Sequence, residues 1–227
     1  MRAVNAAVIP VRSTTGAKQR LGQRLDPARR EALALAMLDD MLAALVGSRA
    51  LDLPAVVSSD PVLLERARSR DVLALDERQL QGRALGLNGA VAWAAEQLEQ
   101  RGATRLLAIP GDVPLLRSRE IDELLELDSP RRSVLLVRSG SPGGTNGLLL
   151  SPPTVMQPRF EGESLAAHEN ACQQAGLPCT VLTLSSFALD LDRPEDLETL
   201  LDAAEDLQTT RLLRHWFAGD LRNSTAA

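Results

Sequence analysis

Leu106-Leu107-Ala108-Ile109-Pro110-Gly111-Asp112-Val113-Pro114-Leu115 is the stretch that decides how this chain is read. Its first four residues are an apolar run of the kind that forms a buried strand. Pro110, Gly111 and Pro114 stop that strand sharply. Asp112 therefore falls just past a strand's carboxyl end, where ligands bind in open α/β sheets. A carboxylate stiffened by flanking prolines suits a divalent cation carrying phosphates. Asp is also a common turn residue, so closing the turn or capping the next helix is the competing reading.

Upstream, residues 3–11 read as the first strand. A polar loop follows at 12–24, with Arg12, Lys18, Arg20 and Arg24 and no acid. It is either a solvated basic loop or a cradle for phosphates. It is not a P-loop, because the glycine spacing and the Gly-Lys-Ser/Thr end are missing. Lys18 is the single lysine among 25 basic residues, which hints at a place that needs a compact point charge rather than a planar fork.

Asp26-Pro27 opens a long helix with Asp as N-cap and Pro in the first turn. Its core residues Leu33, Met37 and Met41, with Leu38, Leu42 and Leu45, recur at helical spacing, and Gly47 closes it. Residues 55–58 are a short strand, Asp60-Pro61 opens a helix to about Arg70, and 72–75 are a third strand. A second glycine-containing loop spans 81–89, before a helix through Gln100. Asn88 is read either as the N-cap of that helix or as an amide offered to a nucleotide.

Downstream of Asp112, Ser118 opens a helix, and residues 133–138 form a strand. A third glycine-rich loop at 139–146 ends in Thr145-Asn146, and a strand at 147–150 is stopped by Pro152-Pro153. Ser164 is expected to cap a helix that holds His168 and ends at Gly176. That histidine reads as a helix-face or core residue rather than a ligand. After a strand at 181–184 comes Asp190-Leu191-Asp192-Arg193-Pro194-Glu195-Asp196-Leu197. Strand alternation puts Asp190 and Asp192 on one face. Asp192 and Glu195 also fit a capping box, which leaves Asp190 unexplained. Residues 209–217 are expected to form a short helix, and the tail after Gly219 to be disordered.

Composition narrows the classes. The chain has 227 residues, 44% of them hydrophobic, enough for a real core, and no apolar run long enough to span a bilayer. Nothing at the start has a signal-peptide layout, so a cytoplasmic protein is expected. A net charge of -5 and an aromatic content of 2% argue against nucleic acid as a partner. Cys172 and Cys179 are the sole cysteines and read as buried free thiols. Without repeats or linkers, residues 1–208 read as one domain, with 209–227 as a terminal helix and tail.

Strands alternating with helices imply a mixed, mostly parallel sheet covered on both faces. If Asp112 converges with Asp190 and Asp192, each pair of carboxylates about 5 Å apart repels by roughly 3 kcal/mol at an effective dielectric of 20. A bound Mg²⁺ removes that conflict. A magnesium–phosphate site beside a basic loop implies phosphoryl or nucleotidyl transfer.

The sequence also resembles a known family, the guanylyltransferases that activate 2-phospho-L-lactate, or a related three-carbon phospho-acid, for coenzyme F420 biosynthesis. The resemblance runs from about Val8 to Leu200. It is carried by Pro10-Val11 through Ala17-Lys18-Gln19-Arg20-Leu21, by Leu87-Asn88-Gly89-Ala90, and by Pro110 to Leu115. Gly144-Thr145-Asn146 and Phe160 with Ser164 and His168 narrow it, and the Asp190 to Leu197 segment completes it.

This resemblance implies a nucleotide-diphospho-sugar transferase-like α/β fold, GTP and a phospho-acid as substrates, and pyrophosphate as a product. It implies Asp112, Asp190 and Asp192 at Mg²⁺, with Lys18 and Asp112 as the catalytic pair. Pro10, Arg12, Lys18, Arg20 and Asn88 would serve the nucleotide. Thr145 and Ser164, with backbone near Gly162, would serve the acceptor's carboxylate. The next transferase of the pathway is a further expected partner, and the chain is expected as a monomer or homodimer.

Two departures lie on the acceptor side. The family usually has Gly where this chain has Glu161, and an Asp where it runs Arg138-Ser139-Gly140. An added anion beside an anionic acceptor is unfavourable unless Glu161 points away. The rival readings are a nucleotidyltransferase using CTP or a molybdopterin or sugar acceptor, and a non-catalytic nucleotide-binding domain. Relatives of the first kind usually open with a loop ending in Arg-Met-Gly or similar, where this chain has Pro10-Val11-Arg12 and Lys18-Gln19-Arg20-Leu21.

Overall fold

Strand alternation builds this molecule in three layers. In β1 (Asn5–Pro10), Ala7 and Ile9 face one side, and Ala6 and Val8 the other. The first set packs with Leu107 and Ile109 against α1 (Pro27–Gly47) and α4 (Ser118–Glu126). The second packs with Leu106 and Ala108 against Ala90, Val91, Ala94 and Leu98 of α3 (Gly86–Gln100). A strand buried on both faces needs apolar residues at every position, which is why β1 and the 106–109 run carry no polar alternation. The computed structural model describes residues 2–13, 18–80, 86–127, 131–203 and 206–224.

Seven strands form one sheet among these residues, in the order β3-β2-β1-β4-β6-β5-β7. The other strands are β2 (Leu53–Ser58), β3 (Leu73–Asp76), β4 (Arg105–Ala108), β5 (Ser133–Arg138), β6 (Thr145–Ser151) and β7 (Cys179–Leu182). The remaining helices are α2 (Pro61–Arg68), α5 (Ser164–Ala175), α6 (Pro194–Asp202) and α7 (Gln208–Ser224). All neighbouring pairs are parallel except those of β6, which runs antiparallel to both β4 and β5.

That reversal positions the site. Ala108 of β4 is opposite Leu148 of β6, so the start of β6, at Thr145-Asn146, reaches the edge where β1 and β4 end. Gly111 is required at this edge, because a Cβ there would lie 2.9 Å from the Pro10 carbonyl oxygen.

A third cluster lies off the sheet. Leu21, Leu25, Leu33, Met37, Leu191, Leu197, Leu200 and Leu213 bury one another. Leu21 and Leu191 are fully buried, each contributing about 2 kcal/mol by removal from water. This small core draws the basic loop and the 190–192 segment together.

Several boundaries differ from the sequence reading, and those near the cleft and at the terminus matter most. The strand expected at 147 starts at Thr145, and the helix expected after Gly89 starts at Gly86. Asn88 is therefore inside the first turn and is not the N-cap. Ser164 is likewise the first residue of α5, with Glu163 at the cap position. The cap expected from Asp192 and Glu195 is supplied by Asp196, whose carboxylate accepts from the N–H groups of Asp192 (2.8 Å) and Arg193 (2.6 Å). The short terminal helix expected to end at 217 continues to Ser224.

Tertiary contacts stabilise that last helix beyond its local propensity. Asp40 of α1 accepts from the N–H groups of Gln208 (2.9 Å) and Thr209 (2.8 Å), Leu213 is buried, and the Arg29 guanidinium lies 5.6 Å from the Trp216 ring centre. Cys172 and Cys179 are free thiols, and burial pushes the Cys172 thiol up to about 12, as inert packing residues require. No helix among the described residues is long and apolar enough to cross a membrane.

Candidate active site

A cleft of about 1120 Å³ opens where β1, β4 and β6 meet at one edge of the sheet. Asp112, Asp190, Asp192 and Arg20 line one part of it, and Thr145, Phe160, Gly162 and Ser164 line another.

The charged part is held from two directions. The N–H of Leu191 donates to the carbonyl of Asp112 at 2.9 Å, and the Leu191 side chain is buried in the third cluster. With Leu191 pointing inward, its neighbours Asp190 and Asp192 point outward together, as alternation predicted. Burial raises the Asp190 carboxyl above the usual range, and the charge of Asp112 raises it further. The Asn146 side-chain amide donates to the Phe187 carbonyl at 2.7 Å and to Asp190 at 3.5 Å, which fixes the carboxylate from the β6 side.

Lys18 stands opposite. Its Nζ is 3.0 Å from Asp112, and its side chain is only 12% exposed. Its backbone is left-handed, with φ of 52° and ψ of 44°. A non-glycine residue held that way costs on the order of 1 kcal/mol, and such strain clusters at functional sites. Arg20, two residues on, pairs with Asp192.

Among the described residues, no group of three His, Cys, Asp or Glu is placed to hold a metal ion. Asp112 and Asp190 act on each other electrostatically, whereas Asp192 is turned to Arg20. The expected trio is thus a pair with a third carboxylate held by a cation of the chain.

The neutral part is built by hydrogen bonds. His168 is fully buried, and its Nε2 accepts from the Arg159 N–H at 2.9 Å. A backbone N–H only donates, so Nε2 carries no proton and Nδ1 does. That one Nδ1 proton serves the Ser164 backbone carbonyl and faces Thr145 Oγ1, 3.4 Å away. Burial lowers this imidazole to about 4, outweighing the hydrogen bond to the Ser164 backbone. The Phe160 ring meets the His168 ring edge-on, 5.3 Å between centres at 78°. On its other side, the Phe160 N–H donates to Asn88 Oδ1 at 2.7 Å.

The remaining expected residues fall as follows. Pro10 is buried at the end of β1, beneath Gly111. Arg12 is exposed, beside Glu77 and the first residue of α3, away from the cleft lining. Residues 14–17 and 81–85, in the two expected phosphate and nucleotide loops, lie outside the described residues. Glu161 is exposed and is not among the residues that line the cleft, although its neighbours Phe160 and Gly162 are. Ser139, where the family has Asp, is buried and bonds the Ser141 carbonyl at 2.9 Å.

Sequence reasoning missed Asn146 and Arg193 as cleft residues. An amide inside an otherwise apolar strand, Thr145-Asn146-Gly147-Leu148-Leu149-Leu150, was the available signal for the first. For the second there was none.

The mixed sheet covered on both faces is a fold shared with solved nucleotide-diphospho-sugar transferase and cytidylyltransferase structures. A crystal structure described as such a transferase, from Desulfovibrio desulfuricans G20, aligns with a TM-score of 0.78 over 98% of both chains at 17% identity. A cytidylyltransferase from Leptospira borgpetersenii aligns with a TM-score of 0.60 over 97% of this chain and 96% of that one, at 14% identity.

Sequence defines the family more finely. The model described as "Guanylyl transferase CofC like" matches residues 5–221, and the chain belongs to that family. Phosphoenolpyruvate guanylyltransferase of Sphaerobacter thermophilus is 38% identical over 86% of this chain and 91% of that protein. The 3-phospho-D-glycerate guanylyltransferase of Phenylobacterium zucineum is 36% identical over 84% and 86%. The 2-phospho-L-lactate guanylyltransferase of Methanothermobacter thermautotrophicus is 33% identical over 92% and 89%.

Proposed function

We propose that this chain transfers GMP from GTP onto the phosphate of a three-carbon phospho-acid, releasing pyrophosphate, in coenzyme F420 biosynthesis. The acceptor is 2-phospho-L-lactate, phosphoenolpyruvate or 3-phospho-D-glycerate. The observation that carries this reading is the division of one cleft. Asp112 and Asp190 line one part, with Lys18 paired to Asp112, a set suited to phosphates and a cation, and neutral hydroxyls line the other, suited to a carboxylate.

An acceptor phosphate oxygen attacks the α-phosphorus of GTP in line. The bond from that phosphorus to the oxygen bridging to the β-phosphorus breaks, and pyrophosphate leaves with the electron pair. No protein nucleophile is needed, since an ionised phosphate already is one. Lys18 exchanges Asp112 for phosphate oxygens and meets the charge that develops on them. Arg20 exchanges Asp192 in the same way. The Thr145 hydroxyl faces the protonated Nδ1 of His168 and so keeps its own proton to donate to an acceptor oxygen. The Ser164 hydroxyl, buried at the start of α5, is the second donor.

The donor set fits Mg²⁺. Two carboxylates, one half-buried and raised by the other, form a site that a hard cation relieves, and Mg²⁺ commonly takes one or two carboxylates plus substrate phosphates. Asp112 and Asp190 would hold it, and Asp192 would join them on release from Arg20. When bound, Mg²⁺ supplies neutralisation of phosphate charge.

The test is pyrophosphate release with GTP, CTP and ATP crossed with the three acids, with Mg²⁺ and after chelation by EDTA. The expected result is release with GTP and one acid, abolished by EDTA and restored by Mg²⁺. Preference for CTP, or GTP binding without release, would favour the rival readings.

A further inference from the structure

Asn88 is read from the resemblance as a nucleotide ligand, yet its side chain is turned to the other half of the cleft. It stands in the first turn of α3, next to Leu87, which lines the cleft. Its Oδ1 accepts from the Phe160 N–H at 2.7 Å, a contact spanning 72 residues of sequence. One residue earlier, the Arg159 N–H is held by His168 Nε2 at 2.9 Å. Two successive backbone donors of one loop are thus fixed by side chains from two different helices. The loop then runs through Gly162, whose left-handed φ of 64° turns the chain into Ser164 and α5. The helix is anchored on the sheet separately, by the buried Ala90, Val91, Ala94, Ala95 and Leu98.

We propose that Asn88 is a positioning residue for the acceptor. By holding the Phe160 backbone, it sets residues 160–164 so that Gly162 and Ser164 face the cleft. This rests on the guanylyltransferase reading above. It also joins the first turn of α3 and the acceptor segment into one body, so the two substrates meet parts of a single connected framework.

Asn88→Leu keeps the side chain's size and removes the acceptor oxygen, and Asn88→Asp keeps that oxygen. Steady-state kinetics and amide hydrogen exchange over residues 158–164 are measured for both. With Leu, the KM for the phospho-acid is expected to rise about tenfold, as for loss of one hydrogen bond that orders a charged ligand's site. The KM for GTP stays within about twofold, and exchange over 158–164 accelerates. With Asp, most of the exchange protection returns. A rise in the KM for GTP with that for the acid unchanged would overturn the proposal and return Asn88 to the nucleoside. Unchanged exchange with Leu would overturn it as well. If the wild type turns over no pair of substrates, the guanylyltransferase reading fails. The exchange measurement then still decides whether Asn88 holds the segment.

Discussion

At the β1–β4 end of the cleft the contacts are ion pairs, Lys18 to Asp112 at 3.0 Å and Arg20 to Asp192. At the β6–α5 end they are neutral hydrogen bonds, from Phe160 to Asn88 and from Arg159 to His168, with His168 facing Thr145. The two ends solve different problems. Ion pairs between partly exposed groups exchange readily for other ions, so on the proposed reading phosphates and a cation would take the place of these partners. Neutral bonds that are buried or half-buried are costly to leave unmade, so the other end keeps its geometry without a ligand. On that reading the charged end changes partners and the neutral end keeps its shape.

The largest expected effect breaks the charged end. Asp112→Asn should lower turnover on the order of 10³-fold while thermal unfolding stays near that of the wild type. A folded variant with near-normal turnover would show that Asp112 belongs to its turn alone. Lys18→Arg should cost on the order of 10²-fold in kcat. A guanidinium keeps the charge, but it replaces a compact ammonium with a planar fork on a left-handed residue. Steady-state kinetics separate that loss from any change in KM for GTP.

The neutral end should answer in a different parameter. Thr145→Val leaves volume nearly constant and removes one donor. It should raise the KM for the acid about tenfold, with the KM for GTP little changed. The effect that leaves catalysis at neutral pH untouched is in stability. His168 is neutral in the fold, with its folded value near 4 against an ordinary 6.5. Its contribution is therefore complete above pH 6.5 and is lost as pH falls toward 4, when the unfolded chain takes up a proton that the folded one does not. The loss over that window is about 3 kcal/mol. Urea unfolding of the wild type and His168→Gln across pH 4.5 to 7 should show the two curves converging in acid. Parallel curves would mean that His168 titrates normally.

The same contrast explains what could be read in advance. Local rules carry the strands and helices, since Asp26-Pro27, Asp60-Pro61 and Gly176 mark their boundaries in the sequence itself. Asp112 and the outward pairing of Asp190 with Asp192 were legible for the same reason, being a strand end and an alternation. What was not legible depends on contacts distant in sequence. The antiparallel course of β6 is fixed by pairing on both sides, and it decides that Thr145 and Asn146 reach the cleft. Asn88 looked like a cap because its partner, Phe160, lies 72 residues away. Asp192 looked like a cap because the residue that caps in its place, Asp196, is itself one of several acids in that segment.

The most direct test of the central claim is the bond that forms. The enzyme is incubated with GTP, Mg²⁺ and each phospho-acid in turn, and the mixture is followed by ³¹P NMR. Transfer of GMP to an acceptor phosphate predicts, with one of the acids, a pyrophosphate signal and an equal amount of a new coupled pair of doublets from an unsymmetrical diphosphate ester. GMP appearing without that pair would contradict the account, as would GTP left intact beside every acid.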